Sequence, residues 1–508
     1  MALTNAFGDL TPYFVYLLLS ATLGPLLFGY HLAELNAPQD VITCVKKDHK
    51  ASAFPRLKSA LGYGRAAASD TALPQCIPMN AIEFGLVSSS FTLGGLLGAL
   101  AAGPTTAKYG RLRSMIISAA FAVVGPAFEA AAPNIGVMAV GRLLSGVGAG
   151  AATVVVPIYI SEISPPEQRG LFGAFTQILT NCGILITQAL GLFLSRGQLW
   201  RIILGVGGVI AVIQAIALIS GGSESPRWLA DNGKASRGKQ VLRKIRGSGA
   251  NIEEEVSTWG VDAANDIEDE EQNLLAHDDE QASLSQGKHN TSSSIGTFAV
   301  LKHRDYAPAV LAVAVIMVGQ QFTGINSIVM YGVSLLSDLL AANSAVLNVA
   351  VAAVNVIITT SCAPLSDRWG RKTCLLLSIG GMGISSILLA VGIMRTIPIL
   401  SAIAVVFFVA SFGFGLGPIP FILAAELVNT EAVGATQSWA LAANWLATFI
   451  VAQFFPLINE KMGKGQVYFI FAAFALVFGA FVAWYVPETC GRSPDEAWGR
   501  RKAPDLED

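Results

Sequence analysis

Seven side-chain amides lie inside long apolar runs: Gln177 and Gln188, then Gln320, Gln321 and Asn326, then Asn355, then Asn444. An amide carries both donor and acceptor groups. So does each hydroxyl of a polyol, and a set of amides suits a neutral, many-hydroxyl ligand better than fixed charges would. Phe421 and Trp445 add apolar rings that complement the C–H face of such a ligand. Asn and Gln also hydrogen-bond between packed helices, so each amide has a second reading as interhelical glue. His31 and Glu34 spell a different chemistry. They stand three residues apart, on one face of a helix, and an unperturbed imidazole titrates near a pH of about 6.5. The pair is a candidate proton or pH site.

Positioning these residues requires a frame that accepts a great deal of apolar sequence. The chain has 508 residues, 53% hydrophobic and 13% charged, with a mean hydropathy of +0.56; soluble proteins carry about 25% charged residues. A spanning helix needs roughly 20 mostly apolar residues. Twelve such windows stand at 13–35, 83–106, 114–132, 136–160, 171–195, 199–221, 306–338, 343–365, 373–394, 397–428, 433–457 and 466–486. The expectation is an all-α membrane protein with twelve transmembrane helices. The amides then fall in the fifth, seventh, eighth and eleventh spans.

Lys and Arg gather in alternate breaks, as at Lys108, Arg111 and Arg113, along 227–246, and at Arg368, Arg371 and Lys372. The positive-inside rule then places both termini and the central linker in the cytosol. The basic segment 36–82 disagrees, but long loops cross with less regard to charge. A net charge of -2 points to no nucleic-acid partner. The first apolar window is too long for a removable signal peptide and lacks a small-residue cleavage site.

Two halves repeat. KYGR at Lys108–Arg111 returns as RWGR at Arg368–Arg371, 260 residues on; Glu162 returns as Glu426 and Glu224 as Glu488, each 264 residues on. Paired repeats with a site between them are a transporter architecture. The division expected is a first six-helix half over 1–222, a cytosolic linker over 223–300, a second half over 301–487 and a tail over 488–508. The linker begins basic, and its stretch Glu253–Glu280 has twelve acids and no Lys or Arg. Such composition reads as a solvated tether. Within it, Glu270 stands four residues before the pair Leu274–Leu275, like the acidic dileucine signal read by vesicle adaptors. The sequon at Asn290 falls in the same cytosolic linker.

Cys44 and Cys76 share the one long non-cytosolic loop, either as a disulfide that restrains it or as free thiols. No cysteine or histidine cluster has metal-ligand spacing, no cofactor is expected, and no nucleophile–base pair argues for an enzyme. Two motifs mislead. KHRDY at Lys302–Tyr306 lacks the other kinase signatures, and the glycines of Gly146–Gly150 lie inside an apolar helix, where they serve packing.

Longer strings carry a resemblance: FGYHLAELNAPQ at Phe28–Gln39, GRLLSG at Gly141–Gly146, PIYISEISPPEQRG at Pro157–Gly170, SESPRWL at Ser223–Leu229, GQQFTGIN at Gly319–Asn326, DRWGRK at Asp367–Lys372, GPIPFILAAE at Gly417–Glu426 and PETCGRSPDE at Pro487–Glu496. The chain resembles the sugar porter family of the major facilitator superfamily, close to facilitative hexose carriers and fungal internal-membrane relatives. The resemblance implies alternating access, with Gln177, Gln320, Gln321, Asn326 and Asn355 bonding the sugar and Trp445, beside Asn444, lining the cavity. Phe421 stands where many hexose carriers have Trp, and Met330 where many have Tyr, which leaves the sugar's identity open. It implies a cytosolic gate of Lys108, Arg111, Glu162 and Arg169 in the first half and Asp367, Arg368, Arg371 and Glu426 in the second. Ala107 and Val433 replace two polar members of that gate.

Energetic mode hinges on His31, where proton-coupled members of the family have Asp and facilitators tend to have Asn. The family's Asp engages a fourth-helix Arg, matched here by Arg142, and Glu34 is placed to supply the missing carboxylate. Facilitated diffusion is the primary expectation. Proton symport through His31 and Glu34, and a non-transporting sugar sensor, are the alternatives. The dileucine string and the fungal resemblance favour a vacuolar or other internal membrane over the plasma membrane.

Overall fold

The computed structural model describes residues 10–45, 73–247, 250–257, 259, 299–340, 344–362, 365–463 and 465–499. Among these there is no strand, and twelve helices are long and apolar enough to cross a membrane. We number them α1 (Pro12–Ala33), α2 (Ala81–Tyr109), α3 (Arg111–Ala130), α4 (Ile135–Ile163), α5 (Arg169–Leu194), α6 (Trp200–Gly221), α7 (Ala307–Leu336), α8 (Ser344–Cys362), α9 (Arg371–Met394), α10 (Pro398–Glu426), α11 (Ala432–Met462) and α12 (Val467–Tyr485). Every expected window is occupied, with ends shifted by a few residues. The architecture is a major facilitator fold of two six-helix halves.

Local chemistry sets the helix ends. Thr11 caps α1 by accepting from the Phe14 N–H, with Pro12 at the first helical position. Asn80 and Glu83 form a reciprocal capping box at α2. The repeated Glu explains itself at α3 and α9. Glu224 accepts from the backbone N–H groups of Arg111 at 2.7 Å and Leu112 at 3.1 Å, and Glu488 does the same for Arg371 at 2.7 Å and Lys372 at 3.1 Å. A carboxylate at a helix N-terminus meets unpaired donors and the positive end of the dipole. The preceding turns require Gly110 (φ 91°) and Gly370 (φ 88°), where a Cβ would also strike the carboxylates of Glu224 and Glu488. Two strings in each half are therefore one device, a turn and its cap.

Close crossings come from small residues. A Cβ at Gly146 or Gly150 would lie 2.0 Å from a backbone oxygen of α2, so these glycines pack α4 directly against α2. Two spans are broken. α7 is interrupted between Phe322 and Ile325, with Gly324 at φ 97°. α10 passes through a π-helical segment, Phe412–Leu416, and then through Pro418 and Pro420. Proline has no N–H to give the carbonyl four residues back, so Pro420 leaves the Leu416 carbonyl without its helical donor.

The linker's basic start folds into the short helices Pro226–Asp231 and Ala235–Arg246, followed by Glu253–Ser257. They hang beneath the first half: Thr11 donates to the Ile245 carbonyl, Lys244 lies over the Tyr13 ring at 4.0 Å, and Arg246 donates to the Ile163 carbonyl at 2.6 Å. Glu270, Leu274, Leu275 and Asn290 lie outside the described residues. Cys44 and Cys76 form a disulfide, and Arg201 and Trp200 hold the nearby chain by donating to the carbonyls of Pro74 and Gln75. The remaining four cysteines are free thiols.

Candidate functional site

The broken spans bring the amides together. Gln320 and Gln321 end the first part of α7, and Asn326 begins the second. Asn326 donates to Gln321 at 2.5 Å, Gln321 donates to the Gln320 side-chain oxygen at 3.0 Å, and Asn444 of α11 donates to the same oxygen at 2.7 Å. The Gln320 amide group in turn donates to the freed Leu416 carbonyl at 2.5 Å. Four amides and one backbone carbonyl thus form a continuous polar line within the second half.

A second network crosses between the halves. Gln177 of α5 donates to Asn181 at 3.2 Å, and Asn355 of α8 donates to the same Asn181 oxygen at 3.3 Å. Asn181 donates to Thr359 at 3.0 Å, and Thr359 to Asn355 at 3.3 Å. Asn181 and Thr359 were not singled out in the sequence. Asn181 stands four residues after Gln177, on the same face, which was the available signal. Gln188 is buried with its side-chain oxygen unbonded. Trp445 is buried against Phe28 and Phe91, ring centroids 5.5 and 6.2 Å away, in space that Gly95 leaves clear. Phe421 is 41% exposed and makes no ring contact among the described residues. Met330 is buried.

The two ends of the bundle differ. At the end where α1 finishes, the halves are fastened together: Asn36 donates to the Val329 carbonyl and accepts from the Val333 N–H, each at 2.9 Å, and Ser89 donates to Gln453 at 2.7 Å. At the other end, no described ion pair joins the two halves. Arg111 grips Glu162 with two bonds of 2.9 and 2.7 Å. Arg371 grips Glu426 at 3.3 and 3.0 Å. Lys108, Arg169 and Arg368 are exposed, and the Asp367 side chain lies outside the described residues.

His31, Glu34 and Arg142 meet in a fully buried cluster. His31 Nδ1 lies 3.0 Å from Glu34, and Arg142 bonds both the other Glu34 oxygen and, at 2.8 Å, the His31 carbonyl. The guanidinium also covers the Phe91 ring at 4.6 Å. A fourth member, Glu129 of α3, accepts from Ser145 at 2.5 Å and approaches Arg142 to 4.0 Å. Glu129 was not singled out in the sequence, since its partners Ser145 and Arg142 stand on a different helix, α4. All four side chains are sealed from solvent. With both carboxylates ionised and the imidazole neutral, two negative charges face one positive. One proton on His31, Glu34 or Glu129 removes the excess, which burial makes costly.

Comparison with known proteins places this geometry in context. The profile described as "Sugar (and other) transporter" matches residues 17–497. The chain is 34% identical over 480 residues to a probable metabolite transport protein of Saccharomyces cerevisiae, covering 94% of this chain and 93% of that one. It is 31% identical over 494 residues to the human solute carrier family 2 facilitated glucose transporter member 3, covering 95% and 91%. The partially occluded inward-open structure of the Escherichia coli xylose transporter XylE superposes with a TM-score of 0.72 at 22% identity, covering 95% and 100%. That superposition shows a shared fold.

The unequal bonding of the two carboxylates to Arg142 makes a stability prediction. Glu34→Ala deprives Arg142 of its bonded carboxylate and should destabilise the protein by about 3–5 kcal/mol. Glu129→Gln leaves one cation facing one anion and should cost less than about 1 kcal/mol. Denaturation of detergent-solubilised protein, followed by tryptophan fluorescence, would measure both. An inverted order would mean that Glu129, not Glu34, is the principal partner of Arg142.

Proposed function

The chain belongs to the family of sugar (and other) transporters, and on that premise we propose that it carries a hexose or related polyol across a bilayer by facilitated diffusion. The observation that carries this reading is the pair of amide networks, one within the second half and one joining the two halves at Asn181. The relatives named as glucose and xylose transporters support the substrate class. In this mechanism the halves rock as bodies, and the site between them faces one side at a time. Gln177, Gln320, Gln321, Asn326, Asn355 and Asn444 exchange their mutual bonds for bonds to sugar hydroxyls. Trp445, together with Phe421 when the cavity is exposed, provides the apolar contacts. In this reading the protein works as a carrier.

Asn36 and the Ser89–Gln453 pair hold one gate shut in the described state. The charged residues Lys108, Arg111, Glu162 and Arg169, with Asp367, Arg368, Arg371 and Glu426, form the opposite, cytosolic gate. They exchange their within-half pairs for pairs between halves when that gate closes. The alternation of basic breaks supports cytosolic termini and a cytosolic linker. The working division is a first half over 1–222, linker over 223–300, second half over 301–487 and tail over 488–508.

A second reading, proton-coupled symport, draws support from the sealed cluster of His31, Glu34, Glu129 and Arg142, whose charge balances when it holds one proton. Binding and coupling are separable. Gln320→Ala or Asn326→Ala should weaken sugar binding by about 1–3 kcal/mol, since a buried hydroxyl loses its partner; equal binding by folded variants would leave the amides as interhelical glue. In proteoliposomes, labelled hexose should equilibrate and stop at equal concentrations. Proton-driven accumulation, abolished by both His31→Asn and Glu34→Gln, would establish symport in place of uniport. Binding with no flux in either assay would identify a sensor.

We further propose an internal, vacuole-type membrane, reached through adaptor recognition of Glu270, Leu274 and Leu275. A tagged Leu274→Ala/Leu275→Ala variant should be rerouted to another membrane. A wild-type distribution would remove the motif from the account.

A further inference from the structure

At the charged end, away from the amide site, the α2–α3 turn meets the helices Pro226–Asp231 and Ala235–Arg246 around a cavity of about 280 Å³. Arg113, Lys234 and Arg237 line it, with Tyr109 and Trp228. The three cations come from three different places: the first turn of α3, the turn before the basic helix, and that helix itself. Each is exposed. Among the described residues none has an ion-pair partner, although Arg111 and Arg246 close by are both paired to carboxylates. The one acidic residue among the described residues of the wall, Glu224, is turned to backbone donors. It accepts from the backbone N–H groups of Arg111, Leu112 and Ser225 at 2.7, 3.1 and 2.9 Å. Trp228 is fixed by donating its ring N–H to the Ala107 carbonyl at 3.1 Å. The result is a concave site in which three cations without ion-pair partners among the described residues outnumber one carboxylate, itself bonded to backbone N–H groups.

We propose that this cavity binds a phosphomonoester group, carried either by an inositol-type lipid headgroup or by a small soluble molecule. A phosphomonoester brings a charge of about −1.5 to −2 and three strong acceptor oxygens, and Arg forks suit such oxygens better than point cations do. The volume sits just below the roughly 300–1,000 Å³ of drug-sized pockets, which fits a headgroup rather than a larger ligand. Arg113 is the third residue of α3 and Tyr109 the last of α2, so the cavity opens where spans leave the bilayer and basic pockets meet anionic headgroups. Its occupant would add to the bonds that already tie the α2–α3 turn to the linker helices, which are themselves bonded to α4 and the start of α1. Binding therefore stiffens the charged end of the first half. Neither the site nor its test depends on what the amide site carries.

The test uses the purified full chain in detergent. Its probes are a short-chain phosphatidylinositol bisphosphate, inositol trisphosphate, inorganic phosphate and unphosphorylated phosphatidylinositol, with affinity read by calorimetry. Two double variants are compared after their melting temperatures are shown to match wild type: Arg113→Gln/Arg237→Gln in the cavity, and Lys239→Gln/Arg243→Gln on the same basic helix but outside it. Loss of a hydrogen bond to a charged group costs at least about tenfold in affinity, so the cavity pair should lose at least tenfold and the outer pair under twofold. Binding of the phosphorylated lipid alone, with that pattern of loss, assigns a lipid headgroup. Binding of inositol trisphosphate or phosphate as well, with the same loss, assigns a soluble or shared ligand. Equal losses from both pairs would reduce the effect to diffuse surface charge and overturn the proposal. So would an absence of binding by any phosphorylated probe, or equal binding of unphosphorylated phosphatidylinositol.

Discussion

The carbonyl of Leu416 must find a donor inside the hydrocarbon, because Pro420 denies it the usual one and water cannot supply it. Gln320 provides that donor at 2.5 Å, and the rest of the polar line follows from this bond. The Gln320 oxygen is left to accept from Gln321 and Asn444, and Gln321 to accept from Asn326 across the break in α7. Irregular backbone at membrane depth is tolerated where it lies in protein or borders a cavity. Both broken spans, α7 and α10, meet at this site. Helix breakers and amides are thus two parts of one solution.

The same constraint acts differently on charge. An amide network is neutral and can exchange its internal bonds for those of a hydroxylated ligand at little net cost, as hydrogen bonds are traded for hydrogen bonds. The His31–Glu34–Arg142–Glu129 cluster has no such exchange available, for its members are sealed and its balance shifts in whole charges. At the bundle's end the charged groups are less enclosed: Arg111–Glu162 and Arg371–Glu426 sit partly exposed, each within its own half. Polarity in this protein is graded by depth. Amides serve the middle, a sealed cluster sits beneath the fastened gate, and ion pairs border solvent.

Much of this was legible in the sequence for identifiable reasons. Hydrocarbon thickness imposes a length on apolar runs, so all twelve spans were visible. The recurrence of Glu224 as Glu488 was visible too, although its purpose, capping α3 and α9 over a positive-φ glycine, needed coordinates. Positions whose meaning depends on a partner far along the chain were harder. Asn181 matters because Asn355 reaches it from the other half, and Gln453 because Ser89 does. Glu129 is read correctly only when α3 and α4 are seen to cross closely enough for Ser145 and Arg142 to flank it. Periodicity cannot reveal such meetings.

Alternating access between these halves is the central claim, and the Ser89–Gln453 contact is where it is most exposed to test. On a background lacking the four free cysteines, Ser89→Cys/Gln453→Cys would place two thiols across the fastened gate while retaining Cys44–Cys76. Labelled hexose flux into proteoliposomes would then be measured before crosslinking, after it, and after mild reduction. If the halves must part at this gate in every cycle, crosslinking stops flux, reduction restores it, and sugar binding from the charged end persists throughout. Undiminished flux through a fully crosslinked protein would contradict the account.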